Sequence, residues 1–148
     1  MKIIFRLFKF FDFKVPITFF LFLTITMTAQ NDQASLNHWE IPSKNPDRII
    51  LTFLGDPATS RAVTWRTDSR IKNGFSQISE ATVNSNFTEN TIRYKAITEP
   101  FDLGLYKGNN SLKVNYHRVV FQKLKPNKIY AYRVGDGNNY WSEWIQFK

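Results

Sequence analysis

The sequence has no cysteine, which excludes disulfides, thiolate-held metals and a lipid-modified cysteine. It has two histidines, His38 and His117, far apart and without a partner at i, i+4. A dinuclear hydrolytic centre draws on several Asp, His and Asn ligands and a bridging carboxylate, and no stretch of the chain supplies that set. The pairs Gly55-Asp56 and Gly135-Asp136 sit where glycine and aspartate serve a turn. No G-x-S-x-G occurs, and no serine or threonine has a His/Asp arrangement close to it. Long Lys/Arg runs are also missing. The formal net charge is +8, and beyond position 29 there remain 16 basic and 11 acidic residues. These are scattered singly along predicted strands, a solvated basic surface rather than a nucleic-acid footprint. Beyond residue 30 no apolar period of 3.6 is sustained and no repeat is found, so long helices are not expected.

What is present is apolar and aromatic. Hydrophobic residues make up 43% and aromatics 16% of 148 residues, enough for the core of one domain. The N-terminus reads as a targeting segment. Lys2, Arg6, Lys9 and Lys14 form a basic region, and Val15 to Thr28 is an apolar run of the length of a signal h-region. That run is short of the ~20 residues a spanning helix needs. Cleavage is expected after Ala29. This divides the chain into a signal peptide, 1–29, a polar leader, 30–45, and a folded domain, 46–148. Phe5, Phe8, Phe10 and Phe11 keep an uncleaved anchor open as the alternative. Either way the folded part is expected outside the cytoplasm, as a secreted, periplasmic or cell-surface domain. No membrane span is expected after signal cleavage.

The domain reads as short strands between turns. Arg48 to Leu54 puts Ile49, Leu51 and Phe53 on one face, and Gly55-Asp56-Pro57 turns the chain. Arg61 to Thr67 puts Val63 and Trp65 inward, Thr64 and Arg66 outward. Trp65 is expected as a core filler, since its face alternates with charged neighbours. Phe75 to Ala81 is a weaker strand, and Asn84 to Asn90 a polar loop. Thr91 to Thr98 alternates as a strand that Glu99-Pro100 ends, and Phe101 to Val114 reads as a long loop with at most a short edge strand. His117 to Leu124, Ile129 to Val134 and Tyr140 to Phe147 follow as a three-strand antiparallel meander. It is punctuated by Pro126-Asn127 and by Gly135-Asp136-Gly137. His117 opens the first of these strands, in a structural or rim position. The count is about seven antiparallel strands, an all-β sandwich of immunoglobulin-like type.

The spacing Leu124-x-Pro126-x-x-x-Tyr130 has the form of a tyrosine corner, in which the phenol bonds back to the backbone a few residues upstream. The alternative is an ordinary strand tyrosine packed by its ring. Leu124, Pro126 and Tyr130, with Trp65, are the expected structural residues.

Taken in order, several pieces resemble one family. They are Pro46-Asp47-Arg48-Ile49, Gly55-Asp56-Pro57-x-Thr59-Ser60, Ala62-Val63-Thr64-Trp65-Arg66-Thr67-Asp68 and Ile78-Ser79-Glu80-Ala81-Thr82. They continue through Tyr116-His117-Arg118-Val119-Val120-Phe121, Leu124-Lys125-Pro126-Asn127, Tyr130 to Gly137 and Trp141-Ser142-Glu143-Trp144. Together they resemble the fibronectin-III-like N-terminal domain of purple acid phosphatases, over roughly Pro46 to Lys148. The resemblance implies a fibronectin type III sandwich and, as partner, a metallophosphatase catalytic domain that follows it in the same chain. It also implies that the family's dinuclear Fe/Zn or Fe/Mn centre lies in that missing domain. The family's ligand motifs, G-D-x-x-Y and G-N-H-E among them, are not in this sequence. No catalytic residue, metal ligand or cofactor is therefore expected in this chain, which is predicted inactive by itself.

Trp141-Ser142-Glu143-Trp144 also resembles the start of the W-S-x-W-S element of cytokine-receptor sandwiches, with Ile145 in place of the last serine. Arg133 is expected across from Trp141 or Trp144. Arg133, Tyr140, Trp141 and Trp144 are the candidate interaction residues, with Ile145 and Phe147 turned to the core. Three function classes remain: an accessory module of a secreted metallophosphoesterase, a stand-alone extracellular module binding glycan or protein, and a structural spacer.

Overall fold

A computed structural model describes residues 39–104 and 111–148. The predicted signal peptide, the leader up to His38, and residues 105–110 of the predicted long loop lie outside the described residues. Eight strands form among the described residues. They are β1 Asp47–Thr52, β2 Arg61–Asp68, β3 Phe75–Glu80, β4 Ile92–Lys95, β5 Ile97–Asp102, β6 Lys113–Phe121, β7 Tyr130–Gly135 and β8 Ile145–Phe147. A 3-10 helix, Ser85–Glu89, crosses the polar loop after β3.

The strands make two antiparallel four-stranded sheets, ordered β1-β2-β6-β5 and β4-β3-β7-β8. This is the immunoglobulin-type arrangement of four strands against three, with one strand added at the edge of the smaller sheet. Side chains alternate across each strand, so one face of each sheet closes the core. Val63, Trp65, Val119 and Phe121 come from the first sheet, and Ile78, Tyr132 and Val134 from the second. All seven are buried.

Three sequence expectations change. The three-strand meander over 117–147 does not form. β6 pairs with β2 along eight residues, from Arg61 opposite Phe121 to Asp68 opposite Val114, while β7 pairs with β3 and β8. The turn after β6 therefore carries the chain from one sheet to the other. Its left-handed residues are Lys123 and Asn127, at φ 59° and 60°.

The strand expected to end at Glu99-Pro100 is two strands. β4 pairs with β3 in the second sheet, and β5 with β6 in the first, so the chain changes sheets at Ala96. Pro100 lies inside β5, where an edge position tolerates the missing N–H. The expected long loop shrinks to match, because Phe101 and Asp102 belong to β5 and Lys113 and Val114 to β6.

The third change is in β1. Arg48 adopts φ 49°, and the register slips between Asp47 opposite Arg66 and Ile50 opposite Thr64. Arg48 and Ile49 together thus oppose one residue of β2, a β-bulge. It brings the Asp47 carboxylate onto Arg66, with Nε to Oδ1 at 2.8 Å and Nη2 to Oδ2 at 2.5 Å. Arg66, expected outward and solvated, is 1% exposed. Phe53, expected on the inner face with Ile49 and Leu51, lies past the strand end and is exposed. It packs beneath the Arg61 guanidinium at 4.5 Å.

Candidate functional site

Two clusters gather the side chains of chemical interest. The first lies on the outer face of the second sheet. β3 and β7 place Gln77 opposite Arg133, and Arg133 Nε donates to Gln77 Oε1 at 2.7 Å. The Arg133 guanidinium stands 4.5 Å from the ring centre of Trp141 and 4.9 Å from that of Trp144. Phe87, from the 3-10 helix, meets Trp144 edge-on at 5.4 Å.

Local backbone bonding sets this arrangement. Asp136 Oδ1 accepts from the Asn138 and Tyr140 amides, and Gly135 bridges to Trp141. The Val134 amide donates to Ser142 Oγ, while the Ser142 amide donates to the Val134 carbonyl. The two tryptophans thereby fold back over β7. Gly137, at φ +87°, leaves the space that Arg93 and Phe75 fill. Arg93 stacks on Phe75 at 4.2 Å and donates to the Gly137 carbonyl. The structure thus brings Arg133, Trp141 and Trp144 together. Tyr140 stands apart, beneath the Lys44 ammonium at 5.3 Å. Both tryptophans are half-buried by this stacking, and burial lowers the Arg133 pKa.

The second cluster is internal: His117, expected at a strand opening in a structural or rim position, is a structural residue of the core and not of the rim. His117 sits in the middle of β6 and is 1% exposed. Its ring stacks on Trp65 at 5.2 Å. Nε2 lies 2.8 Å from Thr67 Oγ1, and Nδ1 lies 2.9 Å from Thr98 Oγ1. Thr67 Oγ1 donates its own hydrogen to the Asp68 carbonyl at 3.1 Å. It therefore accepts from Nε2–H, which leaves Nδ1 as acceptor for the Thr98 hydroxyl. Burial pushes the His117 pKa down from 6.5 to about 4, so the ring is neutral at pH 7.

Opposite Thr67, Asn115 donates to the Ile71 carbonyl at 2.7 Å, and on β3 Ser76 donates to the Arg133 carbonyl at 2.9 Å. Trp65 Nε1 is buried without a hydrogen-bond partner. A Cβ on Gly74 would come within 2.6 Å of His117 Nδ1, so glycine is required where the chain passes over the imidazole. A buried histidine bonded to threonines on both neighbouring strands could not be read from sequence. Only the pairing of Trp65 with His117 and of Thr98 with His117 reveals it.

The remaining structural residues are placed as follows. Trp65 is fully buried. Tyr130 Oη accepts from the Lys125 amide at 2.8 Å, the bond of a tyrosine corner. Its ring stacks on Phe147 at 5.7 Å. Leu124 packs against the core, and its amide donates to the Thr59 carbonyl. Pro126 lies exposed in the turn.

The described residues do not fit a dinuclear metal centre. Among the described residues no three of His, Asp or Glu gather where a metal could sit. Both His117 nitrogens are engaged by threonines. Asp56 is committed to its own turn, accepting from the Ala58 amide and the Thr59 hydroxyl, as Asp136 is to the turn before β8. Among the described residues no helix is long and apolar enough to cross a membrane.

The family model of the purple acid phosphatase N-terminal domain matches residues 46–148. The chain belongs to that family. The match covers all eight strands of the sandwich, from one residue before β1 to one after β8. No curated protein matches the chain. Among solved structures it is similar to purple acid phosphatase PPD1 from yellow lupin (Lupinus luteus) seeds. That structure is 19% identical, with 71% of this chain and 19% of that chain covered and a TM-score of 0.49. It is also similar to the FN1–FN3 domains of chicken CNTN1, 14% identical, with 72% and 30% covered and a TM-score of 0.45. The third fibronectin III domain of human KIAA0343 protein is 12% identical, with 78% and 88% covered and a TM-score of 0.41. The chain spans about a fifth of the length of the lupin protein it matches.

Proposed function

We propose that this N-terminal domain is a non-catalytic module that packs beside a metallophosphoesterase domain and shapes its rim. The observation that carries the proposal is the family match across the whole sandwich. The chemistry of the described residues supports it: the histidine is sealed in the core, and the two Gly-Asp pairs hold turns. In this reading a dinuclear Fe/Zn or Fe/Mn centre, and with it acid phosphatase activity, belongs to the partner domain. The Arg133, Trp141 and Trp144 stack and Tyr140 face that partner. The basic segment ahead of Val15 to Thr28 supports export of the protein, with removal of residues 1–29.

The decisive experiment is activity with and without a catalytic domain. The purified full chain, supplied with Fe, Zn or Mn at acid pH, is expected to turn over no phosphoester. Joining a family catalytic domain after Lys148 is expected to give metal-dependent turnover and to shield Trp141 and Trp144 from a soluble fluorescence quencher. Metal-dependent turnover by the chain alone that survives repurification would overturn the non-catalytic reading. Unchanged quenching in the fusion would remove the stack as the contact face. N-terminal sequencing of exported protein is expected to start within about two residues of Gln30. An intact Met1 species in the membrane would replace cleavage with anchoring.

A further inference from the structure

The buried imidazole is linked to an edge strand in a way that makes that strand's attachment depend on a proton. β5 is the outer strand of its sheet, paired only with β6. Five of its six side chains are exposed, and Thr98 alone is partly buried. The strand begins where the chain leaves the other sheet, at Ala96, whose amide donates to the Gly74 carbonyl at 2.8 Å. On the core side β5 is held by one side-chain bond, Thr98 Oγ1 to His117 Nδ1; elsewhere it is held by its backbone ladder, the Phe101–Tyr116 ring contact at 6.1 Å and the bond from the Ser111 hydroxyl to Asp102.

The two threonine bonds of His117 respond differently to a proton. Thr67 accepts from Nε2–H, because its own hydrogen is committed to the Asp68 carbonyl. That bond survives protonation. Thr98 donates to Nδ1, and protonation puts a hydrogen there. The Thr98 bond must then break or invert, and an inverted hydroxyl leaves its own hydrogen without an acceptor. The ring would also become a buried cation, and the carboxylates of the strands beside it, Asp68 and Glu99, alternate to the opposite face. β2 presents Trp65 and Thr67 to the ring, β5 presents Thr98, and the segment before β3 presents Gly74. Arg66 and Asp68 of β2, Glu99 of β5, and Tyr116 and Arg118 of β6 alternate to the opposite face. On the other sheet, the titratable Tyr94 and Tyr132 meet Phe121, four residues further along β6. Burial is the one cause lowering the His117 pKa, in keeping with an imidazole that has no charged neighbour.

We infer that His117 and Thr98 form an acid-released latch: protonation of His117 detaches the edge strand β5 from β6 while the rest of the sandwich stays folded. Ala96 is the hinge, since it is the point at which the chain passes between sheets. The latch is independent of the proposed partner domain.

Amide hydrogen exchange on the full chain, corrected for the intrinsic pH dependence of exchange, tests the latch. Amides of β5 are expected to lose protection by about 20-fold between pH 7 and 5 and about 100-fold by pH 4. Val63 and Trp65 of β2, which exchange only through global unfolding, are expected to stay better protected than β5 at every pH. His117→Gln removes the titrating group and is expected to abolish the pH dependence in β5. Should that variant fail to fold, the wild-type imidazole can be titrated by NMR, and its midpoint is expected to coincide with that of β5 release. Thr98→Val is expected to lower β5 protection at pH 7 and to shrink the further loss on acidification. Constant β5 protection down to pH 4 would overturn the latch. So would β5 protection equal to that of β2 at every pH, an unchanged pH dependence in His117→Gln, or a His117 midpoint separate from that of β5.

Discussion

The core has two unlike ends. At one, Phe121 is surrounded by rings: Tyr94 at 5.6 Å and Tyr132 at 5.9 Å, with Phe147 a further 5.8 Å from Tyr132 and 5.7 Å from Tyr130. At the other, Trp65 and His117 are walled by Thr67, Thr98 and Asn115, each spent on a directed hydrogen bond. The aromatic end is held by apolar area, which no titration in the range of folding changes. The polar end is held by bonds that require a particular hydrogen on a particular atom. One sandwich thus contains a region indifferent to pH and a region governed by it.

The largest effect that would sharpen this contrast is a cavity at the aromatic end. Phe121→Ala is expected to cost about 3–5 kcal/mol in denaturant unfolding, by the same amount at pH 7 and pH 5. A cost that changed with pH would mean the two ends are coupled. Acid titration of the wild type comes next. The folded His117 pKa of about 4 lies below the unfolded value of 6.5, so the unfolded chain binds the proton first. Stability is therefore full above pH 6.5, falls as the pH drops toward 4, and loses about 3 kcal/mol from this group over that window. His117→Gln is expected to lose less across the same window, and an identical slope in wild type and variant would deny His117 this role.

Smaller effects are expected at the margins of the aromatic end. Tyr130→Phe removes one acceptor from the Lys125 amide, which is exposed and can turn to water, so the cost is expected near 1 kcal/mol. Tyr132→Phe is expected to cost less, because among the described residues no group is hydrogen-bonded to that phenol. Equal midpoints for Tyr130→Phe and wild type would show that the corner contributes nothing to stability. Arg133→Ala is expected to cost about 0.5–1 kcal/mol for each lost aromatic contact and to shift the Trp141 and Trp144 emission toward that of solvated indole. Unshifted emission would mean that the tryptophans hold their place without the arginine.

Local chemistry determined a good deal from sequence alone. Alternation in Arg61 to Thr67 and in Ile129 to Val134 placed Val63, Trp65, Tyr132 and Val134, since a two-residue period has one buried phase. Leu124-x-Pro126-x-x-x-Tyr130 fixed a corner because the bond it makes spans five residues. Trp141-Ser142-Glu143-Trp144 pointed to Arg133 because consecutive strands of a hairpin face each other. Tertiary structure alone decided what depends on register between distant strands. β6 could be assigned to its sheet only once β2 competed for it. The bulge at Arg48 turned Arg66 from an outward residue into the buried member of an ion pair with partly exposed Asp47. Thr98 became the partner of His117 because the chain changed sheets at Ala96 instead of stopping at Pro100. Periodicity reports which face a side chain occupies, but not which strand lies beside it, and the partners of His117 come from two strands, β2 and β5, distant from each other in sequence.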